Sequence, residues 1–216
     1  MKLKIHRTSL LQRLIMAPRI VLASSSKYRR SLLDRLQLDY SCQSPNIDES
    51  PQEGESPTAL CQRLARQKAQ AIADTCDHHW IIGSDQVAAL GNKLLGKPGN
   101  MANAMEQLSA CSGNSLSFHT AVCLLDTATG NSQTAMDTTT VRFRQLAGAE
   151  IETYLKAEQP FDCAGSFKVE GLGISLFEEV NSRDPSALMG LPLIALTSML
   201  KSWGFSLPLG PAGSSV

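Results

Sequence analysis

The chain has 216 residues, 43% of them hydrophobic and 19% charged, a composition that excludes collagen-like, coiled-coil and disordered chains. Twenty Lys and Arg balance twenty Asp and Glu, and zero formal net charge argues against a nucleic-acid partner, because phosphate tracks need surplus positive charge. No run approaches the roughly 18 apolar residues of a membrane span, so no membrane partner is expected either.

The first acidic residue is Asp34. The N-terminus lacks a sustained apolar region and a small-residue cleavage site, so residues 1–18 read as an extension outside the fold, with Met16 as an alternative start, rather than as a secretory signal. Ile20–Ala23 reads as a buried strand. Ser26 is placed to cap the following helix, with Leu32, Leu33 and Leu36 inward. Tyr40–Gln43 reads as a second strand. Ser56-Pro57 sets a capping hydroxyl before a proline at the first helical position, and predicts a helix to about Asp74. Trp80–Gly83 reads as a buried strand that stops at Ser84-Asp85-Gln86. Leu90–Leu94 reads as a hairpin turn. Met101–Leu108 is predicted helical. Two long strands, about Ser115–Leu125 and Gln133–Arg144, flank Gly130-Asn131, and a helix near Glu150–Lys156 follows. Pro192 starts the last helix, with Leu193, Leu196, Leu200 and Trp203 inward and Gly204 as its stop. Residues 206–216 lack periodicity and read as a flexible tail. The alternation of strands and helices predicts an α/β fold, one bilobed domain over residues 19–205.

Six cysteines (Cys42, Cys61, Cys76, Cys111, Cys123, Cys163) show no CxxC and no zinc-ligand spacing. A chain of this size needs no disulfide framework. Reduced, mostly buried thiols and the lack of an Asn-x-Ser/Thr sequon lead to the expectation of a cytoplasmic protein.

Several residues can carry chemistry, and each also has a plainer reading. Ser24-Ser25-Ser26-Lys27-Tyr28-Arg29-Arg30 falls where a strand turns into a helix, whose free N–H groups and positive dipole end suit an anion; a serine-rich turn with solvated arginines fits equally. Lys68 shares a helical line with Leu60, Leu64 and Ile72, so it must snorkel or meet an anion. Asp85 follows an apolar strand directly, where a carboxylate can act as a base, hold a metal, or cap a turn. Lys97 sits in the tight Gly96-Lys97-Pro98-Gly99 turn, and Asp48-Glu49 is a loop acidic pair. Lys168 and Glu170 alternate with Val169 and are predicted to face one side of a strand. Walker A, HExxH and GxSxG motifs are all missing.

Taken in order, Leu22-Ala23-Ser24-x-Ser26-x-x-Arg29, Asp48-Glu49, Lys68-Ala69, Gly83-Ser84-Asp85-Gln86, Gly96-Lys97-Pro98 and Gly165-Ser166-Phe167-Lys168-x-Glu170-Gly171 resemble the Maf-like nucleoside triphosphate pyrophosphatases. Gln86 and Lys168-x-Glu170 resemble its YceF branch, which acts on 7-methyl-GTP. The resemblance covers residues from about Ile20 to Gly204. It implies a twisted mixed β-sheet with flanking helices, in two lobes around a deep cleft. It implies hydrolysis between the α- and β-phosphates, releasing pyrophosphate, with a divalent cation, Mg²⁺ or Mn²⁺. Carried over by motif, Asp85 is the proton acceptor, and Ser24, Arg29, Lys68, Lys97 and Lys168 hold the triphosphate. Glu49 and Asp85 are the candidates for metal contact. Tyr28, Gln86 and Glu170 fall where the branch sets base specificity. Lys27 stands where the family usually has proline, and Tyr28 where a tryptophan is expected. A homodimer is an assembly the family often uses. Other readings are a dTTP or UTP pyrophosphatase and a nucleotide-binding regulator of division without turnover.

Overall fold

A computed structural model describes residues 18–208 and 210–211; the expectations for residues 1–17 and for most of the tail lie outside the described residues. Nine strands and five α-helices are described: β1 (Arg19–Ala23), α1 (Lys27–Asp34), β2 (Tyr40–Gln43), α2 (Pro57–Gln70), β3 (His79–Leu90), β4 (Lys93–Leu95), α3 (Met101–Cys111), β5 (Ser115–Asp126), β6 (Ser132–Phe143), α4 (Gly148–Glu158), β7 (Phe177–Asn181), α5 (Leu193–Ser202), β8 (Phe205–Ser206) and β9 (Gly210–Pro211).

The main sheet runs β2-β1-β3-β5-β6-β7, with β4 also paired to β3. β1 is parallel to β2 and β3, whereas β3 to β7 pair antiparallel. Successive strand residues point to opposite faces, and β1 shows it. Val21 and Ala23 pack with Leu60, Leu64, Ala65 and Ala69 of α2, while Ile20 and Leu22 pack with Leu32 and Leu33 of α1 and Leu196 and Leu200 of α5. The far half of the sheet packs on α3 and α4 through Leu108, Leu116, Val141, Ile151 and Leu155. Phe167 lies edge-on to Phe118, Phe143 and Phe177 there, an arrangement aromatic rings favour.

Local signals account for the helix starts. The Ser26 hydroxyl accepts from the Arg29 N–H, and the Ser56 hydroxyl from the Ala59 N–H, each satisfying an orphan donor of the first turn. α2 ends at Gln70 rather than near Asp74, and a short 3₁₀ turn at Ala73–Thr75 follows.

Two expectations are corrected. β3 does not stop at Ser84 but runs to Leu90, paired to β5 from Trp80 to Ala89. The polar triplet stays in the strand because each side chain finds a partner: Ser84 donates to the Ala121 and Gly190 carbonyls, Asp85 meets Lys68, and Gln86 donates to the Ala187 and Leu188 carbonyls. Lys168-Val169-Glu170 is not a strand; it lies in irregular chain between two 3₁₀ turns. At the C-terminal end, Phe205 and Ser206 pair with Pro211 and Gly210, and Phe205 is buried near Trp80.

Candidate active site

β1 pairs with β3 only as far as Gly83, and β4 joins β3 only from Ala88. Residues 84–87 therefore have β5 on one side and no strand on the other. A cleft of about 670 Å³ opens over this gap. One wall is the turn after β1 with the start of α1, Ser24 to Arg29; the other is Gly96-Lys97 after β4, with Asp162–Ala164, Phe167, Val169, Glu170 and Leu188–Gly190 closing the cleft. The carboxyl end of β1, at Ala23, borders this gap, and open α/β sheets place ligands beyond the carboxyl ends of strands.

At the floor, Lys68 comes off α2 with its Nζ 2.5 Å from Asp85 Oδ1 and 2.7 Å from Glu49 Oε1. Lys68 and Asp85 are both 5% exposed. The close seat of α2 on β3 depends on Gly83: a Cβ there would fall 2.2 Å from the Ala65 carbonyl oxygen. Partial burial works to raise the Glu49 pKa, but the hydrogen bond and charge of Lys68, with Lys97 and Arg29 nearby, hold its carboxyl below the ordinary range.

Arg29 donates from Nε to the Gly190 carbonyl at 2.8 Å, an acceptor it shares with Ser84. Gly190 has φ 109°, a conformation that L side chains rarely adopt. Ser24 accepts from the Ser26 N–H at 3.1 Å, shaping the turn.

Farther along the cleft, the Tyr28 hydroxyl donates to the Asp162 carboxylate, and the Cys163 thiol donates to the Tyr28 hydroxyl. Burial pushes the Cys163 thiol up to about 11, so it stays protonated near neutrality. Burial and its bonds to Cys163 and Asp162 also push the Tyr28 phenol well above its ordinary range. Glu170 lines this end beside Ala164, Phe167 and Val169.

The sequence matches the family described as Maf-like protein over residues 19–203. This chain is a member of the Maf-like family. It is 58% identical to the 7-methyl-GTP pyrophosphatase of Alcanivorax borkumensis over 192 residues, which cover 89% of this chain and 98% of that one. The proteins of the same name from Xanthomonas oryzae pv. oryzae and Pseudomonas syringae pv. syringae are 55% and 52% identical, covering 89% and 88% of this chain and 100% of each relative. The Ham1 protein of Staphylococcus aureus shares the fold, with a TM-score of 0.50 at 13% identity over 86% of this chain and 99% of that one.

In this Maf-like chain the cleft gathers Ser24, Tyr28, Arg29, Glu49, Lys68, Asp85, Gln86, Lys97 and Glu170 of the residues singled out from the sequence. Lys168 is not among the lining residues. Its Nζ donates to the Glu158 carbonyl at 2.7 Å, and its N–H to the Tyr154 hydroxyl, so it braces the 167–173 turn against α4. Lys68 is already engaged by the Glu49 and Asp85 carboxylates, so it holds both in place at the cleft floor. Gln86 spends its amide N–H groups on Thr120, Ala187 and Leu188. Sequence reasoning missed Asp162 and Cys163, which carry no motif of their own and enter the cleft only because the loop before Ala164 folds back over α1.

Glu49 and Asp85 supply hard oxygen donors, and Lys68 engages one oxygen of each. The second oxygen of each has no hydrogen-bond partner among the described residues and faces the cleft rather than a sealed interior. One or two carboxylates completed by phosphate and water oxygens are the usual setting for Mg²⁺, so the donor chemistry of Glu49 and Asp85 fits a divalent cation.

Proposed function

We propose that this protein hydrolyses 7-methyl-GTP to 7-methyl-GMP and pyrophosphate, clearing a modified nucleotide from the pool. The observation that carries this reading is the buried Asp85 facing a nucleotide-sized cleft, lysine-held and flanked by an anion-ready helix start, in a chain whose relatives carry that activity by name.

Asp85 accepts the proton of the water that attacks the α-phosphorus. Lys68 fixes the Asp85 and Glu49 carboxylates in position. The Ser24–Arg29 turn, the start of α1, and Lys97 hold the phosphate chain and stabilise the charge that passes to the leaving pyrophosphate. Glu49 and Asp85 would hold a divalent cation, whose contribution when bound is to neutralise charge on the phosphate oxygens. At the other end, Tyr28 stacks on the base, and Glu170 accepts from the guanine N1–H and amino edge, rejecting bases that lack those donors.

The same reading includes a cytoplasmic setting, supported by six free thiols of the kind a reducing compartment maintains, and a homodimer. Among the described residues, no helix is long and apolar enough to cross a membrane.

The deciding experiment is pyrophosphate release with Mg²⁺ or Mn²⁺ from 7-methyl-GTP, GTP, UTP and dTTP, beside Asp85→Asn. Release chiefly from 7-methyl-GTP, lost in Asp85→Asn while nucleotide binding persists, is expected. Release chiefly from UTP or dTTP would overturn the base assignment, and binding without turnover would overturn the enzymatic one.

A further inference from the structure

At the base end of the cleft, two adjacent residues of α1 converge on one carboxylate. The Tyr28 hydroxyl lies 3.3 Å and 3.4 Å from the Asp162 oxygens, and Lys27 Nζ is 3.3 Å from Asp162 Oδ2. The same ammonium sits 4.9 Å from the centroid of the Tyr28 ring. Lys27 thus occupies a place defined by an aromatic face and a carboxylate, the two groups that together attract an organic cation. Burial works to raise the Asp162 pKa, but bonds from Cys163 and Lys27 prevail and hold it below the ordinary range, so the carboxylate is charged near neutrality. Cys163 stays neutral there and adds no second anion. All these residues line the cleft, with Glu170 beside them.

We propose that the Tyr28 ring and Asp162 form a cation-sensing pair that reads the positive charge of an N7-alkylated purine, and that the Lys27 ammonium stands in that place until the nucleotide displaces it. The proposal rests on the 7-methyl-GTP reading above. Methylation at N7 makes the guanine ring cationic, whereas GTP has the same hydrogen-bonding edge for Glu170 and no ring charge. Glu170 can tell guanine from other bases; Asp162 supplies the term that tells methylated from unmethylated guanine. Lys27 and Asp162 are 71% and 51% exposed at their side chains, and an exposed ion pair is worth little, so displacing the ammonium is cheap.

The test compares kcat/KM for 7-methyl-GTP and GTP in the native protein, Asp162→Asn, Asp162→Glu and Lys27→Gln, together with competitive inhibition by 7-methyl-GMP and GMP. Asp162→Asn keeps the acceptor for the Tyr28 hydroxyl and removes the charge. It is expected to lower the 7-methyl-GTP to GTP ratio about tenfold, the scale of one close charge contact near a protein surface. Asp162→Glu should restore part of the ratio. Lys27→Gln should raise it by removing the competing cation, and the inhibition constants should move in parallel. An unchanged ratio in Asp162→Asn, or equal losses for both nucleotides, would overturn the proposal while the 7-methyl-GTP activity stands. A native protein with no preference for the methylated nucleotide would overturn both, and the native ratio alone would show it.

Discussion

Lys68 and Asp85 form a buried ion pair, 2.5 Å between Nζ and Oδ1, that joins α2 to the middle of β3. Taking two charges out of water is costly, and removing one partner leaves the other uncompensated. Lys68→Met is therefore expected to destabilise the fold by about 3–5 kcal/mol. Denaturant titration measures this. Pyrophosphate release should fall further than the folded fraction does, because Asp85 and Glu49 lose the cation that positions both.

Gly83→Ala tests the same joint from the backbone side. The added Cβ would meet the Ala65 carbonyl oxygen at 2.2 Å and the Ala69 nitrogen at 2.7 Å, both main-chain atoms of α2. The helix must move off the strand, at a cost of roughly 1–3 kcal/mol or more for overpacking, and Lys68 moves with it. A lower thermal midpoint with a loss of kcat is expected. Full activity in Gly83→Ala would show that the α2–β3 spacing does not set the Asp85–Lys68 contact.

Gln86 gives a prediction that separates two roles. Its amide nitrogen is 2.9 Å and 3.0 Å from the Ala187 and Leu188 carbonyl oxygens. That segment ends in Gly190, the acceptor for Arg29. Gln86→Leu should loosen the segment, cost about 1–3 kcal/mol through an orphaned carbonyl, and raise KM for 7-methyl-GTP and GTP together. A change confined to base preference would assign Gln86 to base reading alone.

Arg63 grips Glu55 with two bonds of 2.7 Å, Nε to Oε1 and Nη2 to Oε2, and these bonds hold the Glu55 carboxyl down to about 2 against an ordinary 4.5. A carboxyl depressed in the folded state stabilises it fully above its unfolded pKa and loses that contribution as pH falls toward the folded one. Native stability should thus decline from about pH 4.5 downward, and Arg63→Met should flatten that part of the curve in urea titrations at stepped pH.

Much of this was readable in the sequence because it depends on local signals. Ser26, and Ser56 with Pro57, marked two helix starts, and Gly130-Asn131 separated β5 from β6, whose long pairing needs no distant information. That the candidates from Ser24 to Lys97 line one cleft follows from chain order alone for Ser24, Tyr28 and Arg29, which share the single turn from β1 into α1. What failed was decided by contacts distant in sequence. The triplet at Ser84-Asp85-Gln86 looked like a strand end because its partners, Lys68, Gly190, Ala187 and Leu188, lie elsewhere in the chain. Lys168 and Glu170 looked like one face of a strand because the Glu158 carbonyl of α4, which meets Lys168 Nζ, has no sequence signature. Asp162 was invisible for the same reason.

The unpartnered stretch of β3 has one more consequence. Beneath the gap, β3 and β5 continue without interruption from one end of the cleft to the other, and a paired double strand resists bending. Asp85 stands on this ladder, whereas Tyr28 rides on α1 and Asp162 on the turn before Ala164, so the span between the two ends of the cleft is set where three separate elements meet. On the proposed reading, with the base seated at the Tyr28–Asp162 end, the reach from there to Asp85 decides which phosphorus meets the carboxylate. Analogues with a lengthened sugar–phosphate linkage would be cut one bond out of register or left whole.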